Sequence, residues 1–264
     1  MPGTVLLQVD GNVAHVVLSN PGRRNAVSWP MLTALDAVVT GLADRTDIAA
    51  VVLVGEGTDF CVGADLAAAP EQRTLRRDSV AADTERLTAV TATATAFYRL
   101  PQVTIAALDG GCAGAGLSLA LAADLRVAAD RAVLNTAFVG AGLSGDLGSA
   151  WHLVRAVGPA RARELLLDPG KVTAGRALDL GLVARVVPAD ELADDAVRWA
   201  RRIAAHAPLA LRGAKQNLLA ATDHDLDTYV PGEVDRMVAT FHTQDAQEAA
   251  AAFLARRAPV FTGR

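Results

Sequence analysis

Two glycine-rich turns each follow a run of apolar residues that is typical of a buried strand. The first turn, 60–66, comes after the apolar run 48–54, and the second turn, 110–116, comes after the run 104–108. Small side chains let a ligand approach the backbone, and the first N–H groups of a helix have no partner inside the helix. Two such N–H groups that converge on one oxygen atom would form an oxyanion hole. Taken alone, either turn is better explained by tight strand–helix packing without a ligand.

The acid Asp146 is the second feature that could do chemistry. It lies in a third glycine-rich turn, 140–146, and has the apolar residues Leu143, Leu147 and Trp151 close by in the sequence. A carboxylate in apolar surroundings has a raised pKa and can transfer protons near neutral pH. Asp146 also precedes an apolar helical stretch, so a helix N-cap is at least as good an interpretation. Spacing alone leaves both roles open.

The third turn also raises a different class of function. Its glycines Gly140, Gly142 and Gly145 match the G-x-G-x-x-G fingerprint of dinucleotide-binding proteins. The next acidic side chain at a suitable distance, Glu164, lies in a predicted helix rather than at the end of a strand. Asp146 would also lie against the pyrophosphate, where a negative charge is unfavourable. A nicotinamide oxidoreductase is therefore the weaker alternative.

Other catalytic and metal-binding patterns do not occur in the sequence. The five histidines are scattered without an HExxH motif, and no G-x-S-x-G motif is present. The two cysteines, Cys61 and Cys112, have no metal-binding spacing. We expect no metal site, and two reduced, buried thiols in a cytoplasmic protein.

Composition excludes several classes of protein. The chain has 264 residues, of which 52% are hydrophobic and 20% charged, so it can bury a large core and is not a low-complexity chain. Its formal net charge is −4 and it has no dense run of Lys and Arg, which argues against nucleic-acid and membrane-surface partners. No apolar run reaches the ~18 residues that span a bilayer, and we expect no signal peptide.

Alternating strand and helix patterns must position these turns. Two short strands, 5–9 and 14–19, precede a helix, and the continuous apolar runs are typical of a parallel sheet that helices cover on both faces. The sequence therefore predicts an α/β fold. From Asp190 onward the pattern is helical, so we divide the chain into an α/β core, 1–188, and a C-terminal helical region, 189–264.

Two segments depend on their neighbours. The charged segment 67–99 has few large apolar residues in its first half and is expected to form a surface helical region that shapes the substrate pocket. The Ala-rich stretch 245–253 needs a neighbour to pack against, which points to another subunit.

Five segments together resemble the motifs of one family. In chain order they are 20–26, similar to a shortened N-x-P-x-x-x-N-A; 61–66, similar to A-G-A-D-[IL]; 110–124, similar to G-x-x-x-G-G-G-x-x-L-x-x-x-x-D; 172–188, similar to T-A-x-x-A-x-x-x-G-L-V-x-x-V-V-P; and 248–261, similar to E-x-x-x-A-F-x-x-[KR]-R-x-P-x-F. Over nearly its whole length the chain therefore resembles the crotonase, or enoyl-CoA hydratase/isomerase, superfamily.

The resemblance implies a fold, an assembly and a substrate class. It implies a ββα spiral core whose C-terminal helices assemble homotrimers or hexamers built from two trimers. It also implies acyl-CoA thioester substrates, with coenzyme A (CoA) as part of the substrate and no separate cofactor.

The resemblance also assigns roles to individual positions. The N–H groups of Ala64 and Ala115 would form the oxyanion hole, although the family usually has Gly at the second position. The residues that would line the CoA moiety are Arg24, Ala26, Val62, Asp65 and Leu66. Lys215 and Arg256 are candidate partners for the CoA phosphates, and Phe138 would form part of an apolar wall around the acyl group.

The catalytic acids depart from those of the family's hydratases. Hydratases carry two glutamates, at the positions where this chain has Ser118 and Phe138, and neither side chain can act as a carboxylate base. Asp146 instead matches a position where other branches keep an aspartate, including dienoyl-CoA isomerases. The resemblance therefore favours double-bond isomerisation by proton transfer through Asp146. A hydratase or acyl-CoA hydrolase with an atypical acid set, and an acyl-CoA-binding protein that has lost catalysis, remain alternatives.

Overall fold

The structure, a computed structural model, describes residues 3–264. The strands in chain order are β1 (Thr4–Asp10), β2 (Val13–Ser19), β3 (Ala50–Gly55), β4 (Val103–Leu108), β5 (Gly111–Ala113), β6 (Leu125–Ala129), β7 (Val133–Asn135), β8 (Val172–Thr173) and β9 (Arg185–Val187). The α-helices in chain order are α1 (Trp29–Ala43), α2 (Val80–Tyr98), α3 (Ala115–Ala122), α4 (Ser149–Leu167), α5 (Ala174–Asp179), α6 (Leu192–Ala204), α7 (Pro208–Asp223), α8 (Leu226–Phe241) and α9 (Gln244–Leu254).

The larger of two sheets has the strand order β1-β2-β3-β4-β6-β9. β1 and β2 form an antiparallel hairpin, and the following neighbours are parallel, with Val13 opposite Ala50 and Ala50 opposite Val103. The smaller sheet has the order β5-β7-β8 and begins just after β4. The chain therefore leaves the carboxyl end of β4 directly into the second glycine-rich turn.

The central strands are covered on both faces. Val51 and Leu53 of β3 belong to a core that contains α1, α2 and α3, whereas Val52 packs into a second core with α6. Neighbouring residues of a strand point to opposite faces, so both sets must be apolar. This burial explains why the sequences of β3 and β4 are continuous apolar runs, and it confirms the predicted α/β fold.

Several predicted boundaries differ from the structure. The sequence also predicts a strand over 182–187, but only its second half forms one, as β9, because Leu182 is buried in the turn after α5. In the segment 67–99, helix α2 starts at Val80, and the preceding stretch is irregular apart from a 3₁₀ turn at Pro70–Gln72.

The C-terminal helical region begins where the sheet ends, at Val187 of β9. Its first helix, α6, lies on the sheet and buries Ala196 and Trp199 there. Among residues 3–264, no helix combines the length and the apolarity that crossing a membrane requires.

Candidate active site

The first two glycine-rich turns lie side by side at the carboxyl end of the parallel sheet. Cys61 and Cys112 are paired as neighbours in a parallel bridge. The Cys61 N–H donates to the Gly111 carbonyl at 3.1 Å, and the Ala113 N–H donates to the Cys61 carbonyl at 2.9 Å. We call residues 61–65 and 111–116 the paired turns.

Glycine is required where the paired turns touch. A Cβ at Gly116 would lie 2.1 Å from the carbonyl oxygen of Cys61, a separation that real Cβ atoms do not show. Gly63 has φ +104°, in the region that favours glycine, and a Cβ there would lie 3.3 Å from the Ala113 carbonyl oxygen and 3.9 Å from the Ala115 nitrogen. The two backbones can therefore approach closely enough for their N–H groups to share a ligand atom.

Each of the paired turns presents one free N–H group. The backbone of Val27 is hydrogen-bonded to both chain neighbours of Ala64. Its N–H donates to the Gly63 carbonyl and its carbonyl accepts the Asp65 N–H, both at 2.8 Å. The Ala64 N–H therefore points away from Val27. Ala115 is the first residue of α3, so its N–H has no partner inside the helix. Within residues 3–264, neither N–H donates a hydrogen bond, and both alanines line a cavity of about 110 Å³.

Asp146 lies on the wall of the same cavity. Its Oδ1 is buried and has no hydrogen-bond partner within residues 3–264. Burial raises the pKa of this carboxyl to about 6, because desolvation penalises the charged form. Such a group can both accept and return a proton near neutral pH.

The alternative role of Asp146 as a helix cap is wrong. Helix α4 starts at Ser149, and its N-cap is Gly148 in the left-handed conformation, without a side-chain cap. The backbone carbonyl of Asp146 accepts the Ser149 N–H at 2.9 Å, and within residues 3–264 its carboxylate makes no hydrogen bond to the helix. The side chain is thus left free to face the cavity.

Arg24 has a structural partner, Asp59, that sequence reasoning missed. Its Nε and Nη2 donate to the two carboxylate oxygens of Asp59 at 2.9 and 2.8 Å, and this guanidinium lowers the pKa of the carboxyl. The Asp59 carboxylate also accepts the Gly111 N–H at 2.6 Å. The pair therefore ties the loop 20–26 to the second of the paired turns. Because Arg24 and Asp59 are 35 residues apart in the chain, no local sequence pattern indicates that they pair.

Two buried asparagines shape the loop 20–26. The Asn25 amide donates to the carbonyls of Glu56 and Asp59 at 2.8 and 2.7 Å. The Asn20 amide donates to the Ala26 carbonyl at 2.7 Å and to the Asp65 carboxylate at 3.2 Å. These bonds explain why the loop needs asparagine at both positions, and they hold Ala26 next to the first of the paired turns.

The remaining residues predicted to line the CoA moiety lie in or directly after the first of the paired turns. Leu66 lines the cavity and is largely exposed, and Val62 is half-buried beside Gly111. Asp65 lines both the cavity and a neighbouring polar cleft of about 490 Å³. Arg23, which no motif in the sequence indicates as a ligand residue, lines that cleft with an exposed side chain.

Lys215 is placed differently from the prediction. It is 5% exposed, and its Nζ donates to the Asp124 carboxylate at 2.7 Å and to the Gln102 carbonyl at 2.8 Å. Asp124 also accepts the Thr104 N–H at 2.7 Å. The prediction that Lys215 contacts a CoA phosphate is therefore wrong, because its charge is buried and already paired. Arg256 is exposed beyond α9 and lines neither the cavity nor the polar cleft.

Phe138 and Ser118 are both buried. Phe138 does not line the cavity, so its predicted role in the acyl wall is wrong, whereas Leu143, predicted for the same wall, does line the cavity. The Ser118 hydroxyl donates to the Gly114 carbonyl at 3.2 Å inside α3. Neither of the two positions where hydratases keep a glutamate therefore offers this chain an acid.

Comparison with known proteins matches these features. The family model described as enoyl-CoA hydratase/isomerase matches residues 8–264. The chain is 34% identical over 253 residues to the putative enoyl-CoA hydratase/isomerase YngF of Bacillus subtilis, covering 96% of this chain and 95% of that protein. It is 33% identical over 260 residues to the 1,2-epoxyphenylacetyl-CoA isomerase of Escherichia coli, covering 98% of each.

The fold is similar to that of solved enzymes. The crystal structure of an enoyl-CoA hydratase from Polaromonas sp. JS666 superposes with a TM-score of 0.92 at 33% identity, covering 98% of this chain and 100% of that one. The resemblance inferred from the sequence motifs is thereby confirmed. With its crotonase-like core and C-terminal helices, the chain belongs to the enoyl-CoA hydratase/isomerase family.

Proposed function

We propose that the protein is an acyl-CoA isomerase that moves a double bond by proton transfer through Asp146. The observation that carries this proposal is one unpartnered, buried carboxylate in the same small cavity as two free backbone N–H groups. The family supplies the substrate class, an acyl-CoA thioester. The N–H groups of Ala64 and Ala115 would hold the thioester oxygen.

The proposed reaction uses one acid for both proton transfers. Ionised Asp146 removes a proton from the α-carbon of a β,γ-unsaturated acyl group, and the electrons of that C–H bond form an enolate. The enolate oxygen receives hydrogen bonds from Ala64 and Ala115, whose donors are already in place. The thioester carbonyl then re-forms, and protonated Asp146 returns its proton to the γ-carbon, so that the double bond becomes α,β.

The second acid that lines the cavity is engaged elsewhere. Asp65 accepts the Ala67 N–H at 3.0 Å on one carboxylate oxygen and the Asn20 amide at 3.2 Å on the other. A hydratase mechanism with two acids acting on water therefore has less support than isomerisation with Asp146 alone.

We also propose where the CoA moiety binds. The polar cleft beside the cavity shares Asp65 with it, so a thioester in the cavity can continue into the cleft. Arg24 is held by Asp59, so its role is to hold the loop that lines CoA rather than to bind a phosphate. Arg23 is the guanidinium in the cleft that has no ion-pair partner within residues 3–264, and we assign the phosphate contact to it.

We propose that the chain self-associates through α8 and α9, as expected for a homotrimer or hexamer. The exposed faces of these helices carry large apolar side chains, namely Val234, Met237, Val238, Phe241, Phe253 and Leu254. Large apolar side chains exposed on two helices that contact each other are typical of a surface that associates with another protein chain. Sedimentation equilibrium tests this point, and a monomer at micromolar concentration would contradict it.

The experiment that tests the proposed reaction is Asp146→Asn assayed on 3-hexenoyl-CoA. Asn keeps the shape of the side chain but cannot accept the proton, so we expect kcat to fall by about 10²–10⁴-fold, the usual contribution of a general base. The exposed acid Asp179 provides a matched control, Asp179→Asn, which should keep the wild-type rate.

The products distinguish the alternatives. Full turnover by Asp146→Asn would refute the role of Asp146. Net addition of water to 2-hexenoyl-CoA, without double-bond migration, would favour the hydratase. Tight binding with no turnover of any acyl-CoA would favour an acyl-CoA-binding protein.

A further inference from the structure

The residue that follows Asp146 has a strained backbone. Leu147 has φ +48°, in the left-handed region that favours glycine. Among residues 3–264, six non-glycine residues have a positive φ, and Leu147 is the only one of them with a large apolar side chain. Such strain persists only where the surrounding structure enforces the conformation, and it is common at active sites. The structure around Leu147 must therefore hold it in place.

Glycines on both sides let the segment 145–148 pack closely on helix α4. A Cβ at Gly145 would lie 2.8 Å from Ser149 Oγ, and a Cβ at Gly148 would lie 3.2 Å from His152 Cδ2. Both glycines also have a positive φ, which glycine adopts without strain. The one position of this segment where a positive φ is costly is therefore the leucine between them.

The side chain of Leu147 holds its own backbone in this conformation. Within residues 3–264, neither the N–H nor the carbonyl of Leu147 makes a hydrogen bond. Its side chain is 2% exposed and belongs to the core that contains Val90 of α2 and Leu153 of α4. Burial of the side chain in this core is therefore what offsets the backbone strain.

The position of the segment 145–148 decides how far the Asp146 carboxylate is removed from water. Leu147 lines the cavity of about 110 Å³ that holds this carboxylate, and also a groove of about 1110 Å³. The titratable groups on the surrounding elements are Asp65 and Arg73 in the cavity, Arg99 in the groove, the Cys61 thiol and the His152 imidazole. Within residues 3–264, none of them hydrogen-bonds to Asp146 Oδ1, and burial alone raises the pKa of this carboxyl.

Resting on the proposed function, we infer that Leu147 is a positioning residue, whose buried side chain holds the segment 145–148 in the conformation that keeps the Asp146 carboxylate in the cavity. Leu147 acts on the reaction through Asp146. When the side chain no longer anchors the segment, residue 147 relaxes to a negative φ and the carboxylate leaves its position beside the two free N–H groups.

The first arm of the test compares two truncations of the same side chain. Leu147→Ala removes the anchor but keeps a Cβ, so a positive φ stays unfavourable. Leu147→Gly removes more of the side chain, but glycine adopts a positive φ without strain. On 3-hexenoyl-CoA we expect Leu147→Ala to lower kcat by about 10-fold, because a small misplacement of a catalytic group is costly. Leu147→Gly should keep at least about threefold more of the wild-type kcat than Leu147→Ala.

Two further measurements show that the effect acts on the chemical step. In Leu147→Ala, KM should change by less than about threefold, since the paired turns that hold the thioester are untouched. The conservative variant Leu147→Met keeps a long apolar side chain and should restore kcat to within about threefold of wild type.

Leu153 provides the matched control. It is 1% exposed and belongs to the same core, but it lies inside α4 and does not line the cavity of Asp146. Glycine is less favourable than alanine inside a helix. Leu153→Gly should therefore be the less stable of the two truncations in denaturant unfolding, the reverse of the order of kcat expected at Leu147.

The pH profile separates positioning from a loss of packing. In Leu147→Ala the displaced carboxylate meets more water, so the step in kcat/KM should move from about pH 6 towards the ordinary aspartate pKa of about 4. Leu153→Ala also loses core packing but should keep the step near pH 6. A step that stays in place in both variants would overturn the inference.

The remaining outcomes are equally decisive. If Leu147→Gly is as inactive as Leu147→Ala, the side chain only fills space and the inference is wrong. If Leu147→Ala does not fold, Leu147→Val replaces it, because a branched Cβ is still less compatible with a positive φ; wild-type kcat in that variant would overturn the inference. If Asp146→Asn is inactive while Leu147→Ala behaves as wild type, only this inference fails. If Asp146→Asn is fully active, the proposed function fails as well.

Discussion

The paired turns and the segment that carries Asp146 supply the two halves of the proposed chemistry in different ways. The paired turns offer backbone N–H groups, and their position is fixed by hydrogen bonds between the turns and by the Asp59 carboxylate. The Asp146 segment offers one side chain whose carboxylate has an unpartnered oxygen. We therefore expect activity to tolerate changes of side chain in the paired turns but not changes in how their backbones pack. In the Asp146 segment we expect activity to depend on the side chain and to tolerate changes in backbone packing better.

The largest expected effect breaks the packing of the paired turns. In Gly116→Ala the new Cβ would lie 2.1 Å from the Cys61 carbonyl oxygen, so the two backbones must separate. We expect a loss of ~1–3 kcal/mol in the free energy of unfolding and of about 10²–10³-fold in kcat, as for the loss of one oxyanion donor. Denaturant unfolding and steady-state kinetics measure the two effects.

The exposed Gly175 on α5 provides the control, because a Cβ there meets no atom within 4 Å. Gly175→Ala should leave kcat unchanged. A Gly116→Ala variant with wild-type activity would show that close packing of the turns does not set the geometry of the two N–H groups.

A smaller effect is expected at Asp59, which anchors the second turn from outside. Asp59→Ala leaves the Gly111 N–H without its acceptor and releases Arg24. We expect the free energy of unfolding to fall by ~1–3 kcal/mol and kcat to fall by about 10-fold. Thermal unfolding and kinetics on the same preparation measure both.

The matched variant Arg24→Gln removes the ion pair with Asp59 but keeps the hydrogen bond from the Gly111 N–H to the Asp59 carboxylate. Arg24 is 63% exposed, so its pair with Asp59 should contribute only ~0–1 kcal/mol. If Arg24→Gln proved as damaging as Asp59→Ala, the ion pair rather than the bond to Gly111 would be the anchor.

The smallest effect is expected where only a side chain of the turns changes. Ala115 contributes its N–H to the cavity, and Ala115→Gly removes a methyl group without removing that donor. We expect kcat to change by less than about threefold, despite a cost of ~0.5–1 kcal/mol for glycine in a helix. A loss of 100-fold would mean that the methyl group, not the N–H, acts on the substrate.

The same contrast explains which parts of the site could be predicted from the sequence. The paired turns are encoded by local glycines and small residues after apolar runs, so their positions in the chain could be predicted. The motifs also pointed to Ala64 and Ala115, and both residues line the cavity. The role of Asp146 could not be decided, because it depends on where α4 starts. The left-handed conformation of Gly148 places that start at Ser149.

Residues whose roles depend on distant partners were missed or misassigned. Lys215 looked like a phosphate ligand, but its partner Asp124 lies 91 residues away in the chain. The two-residue strand β8 likewise forms only because β7 lies beside it, with Val172 opposite Leu134. The fold class needed no such information, because the continuous apolar runs of β3 and β4 indicate burial on both faces of a parallel sheet.

The pH dependence of isomerisation by wild type and Asp146→Asn tests the central claim most directly. The carboxyl has its pKa raised to about 6 by burial and must be ionised to take the first proton. We predict that kcat/KM rises with pH through about pH 6, reaches a plateau above it, and loses this step in Asp146→Asn. A wild-type profile that is flat between about pH 5 and 8, or the same step in the variant, would contradict the account.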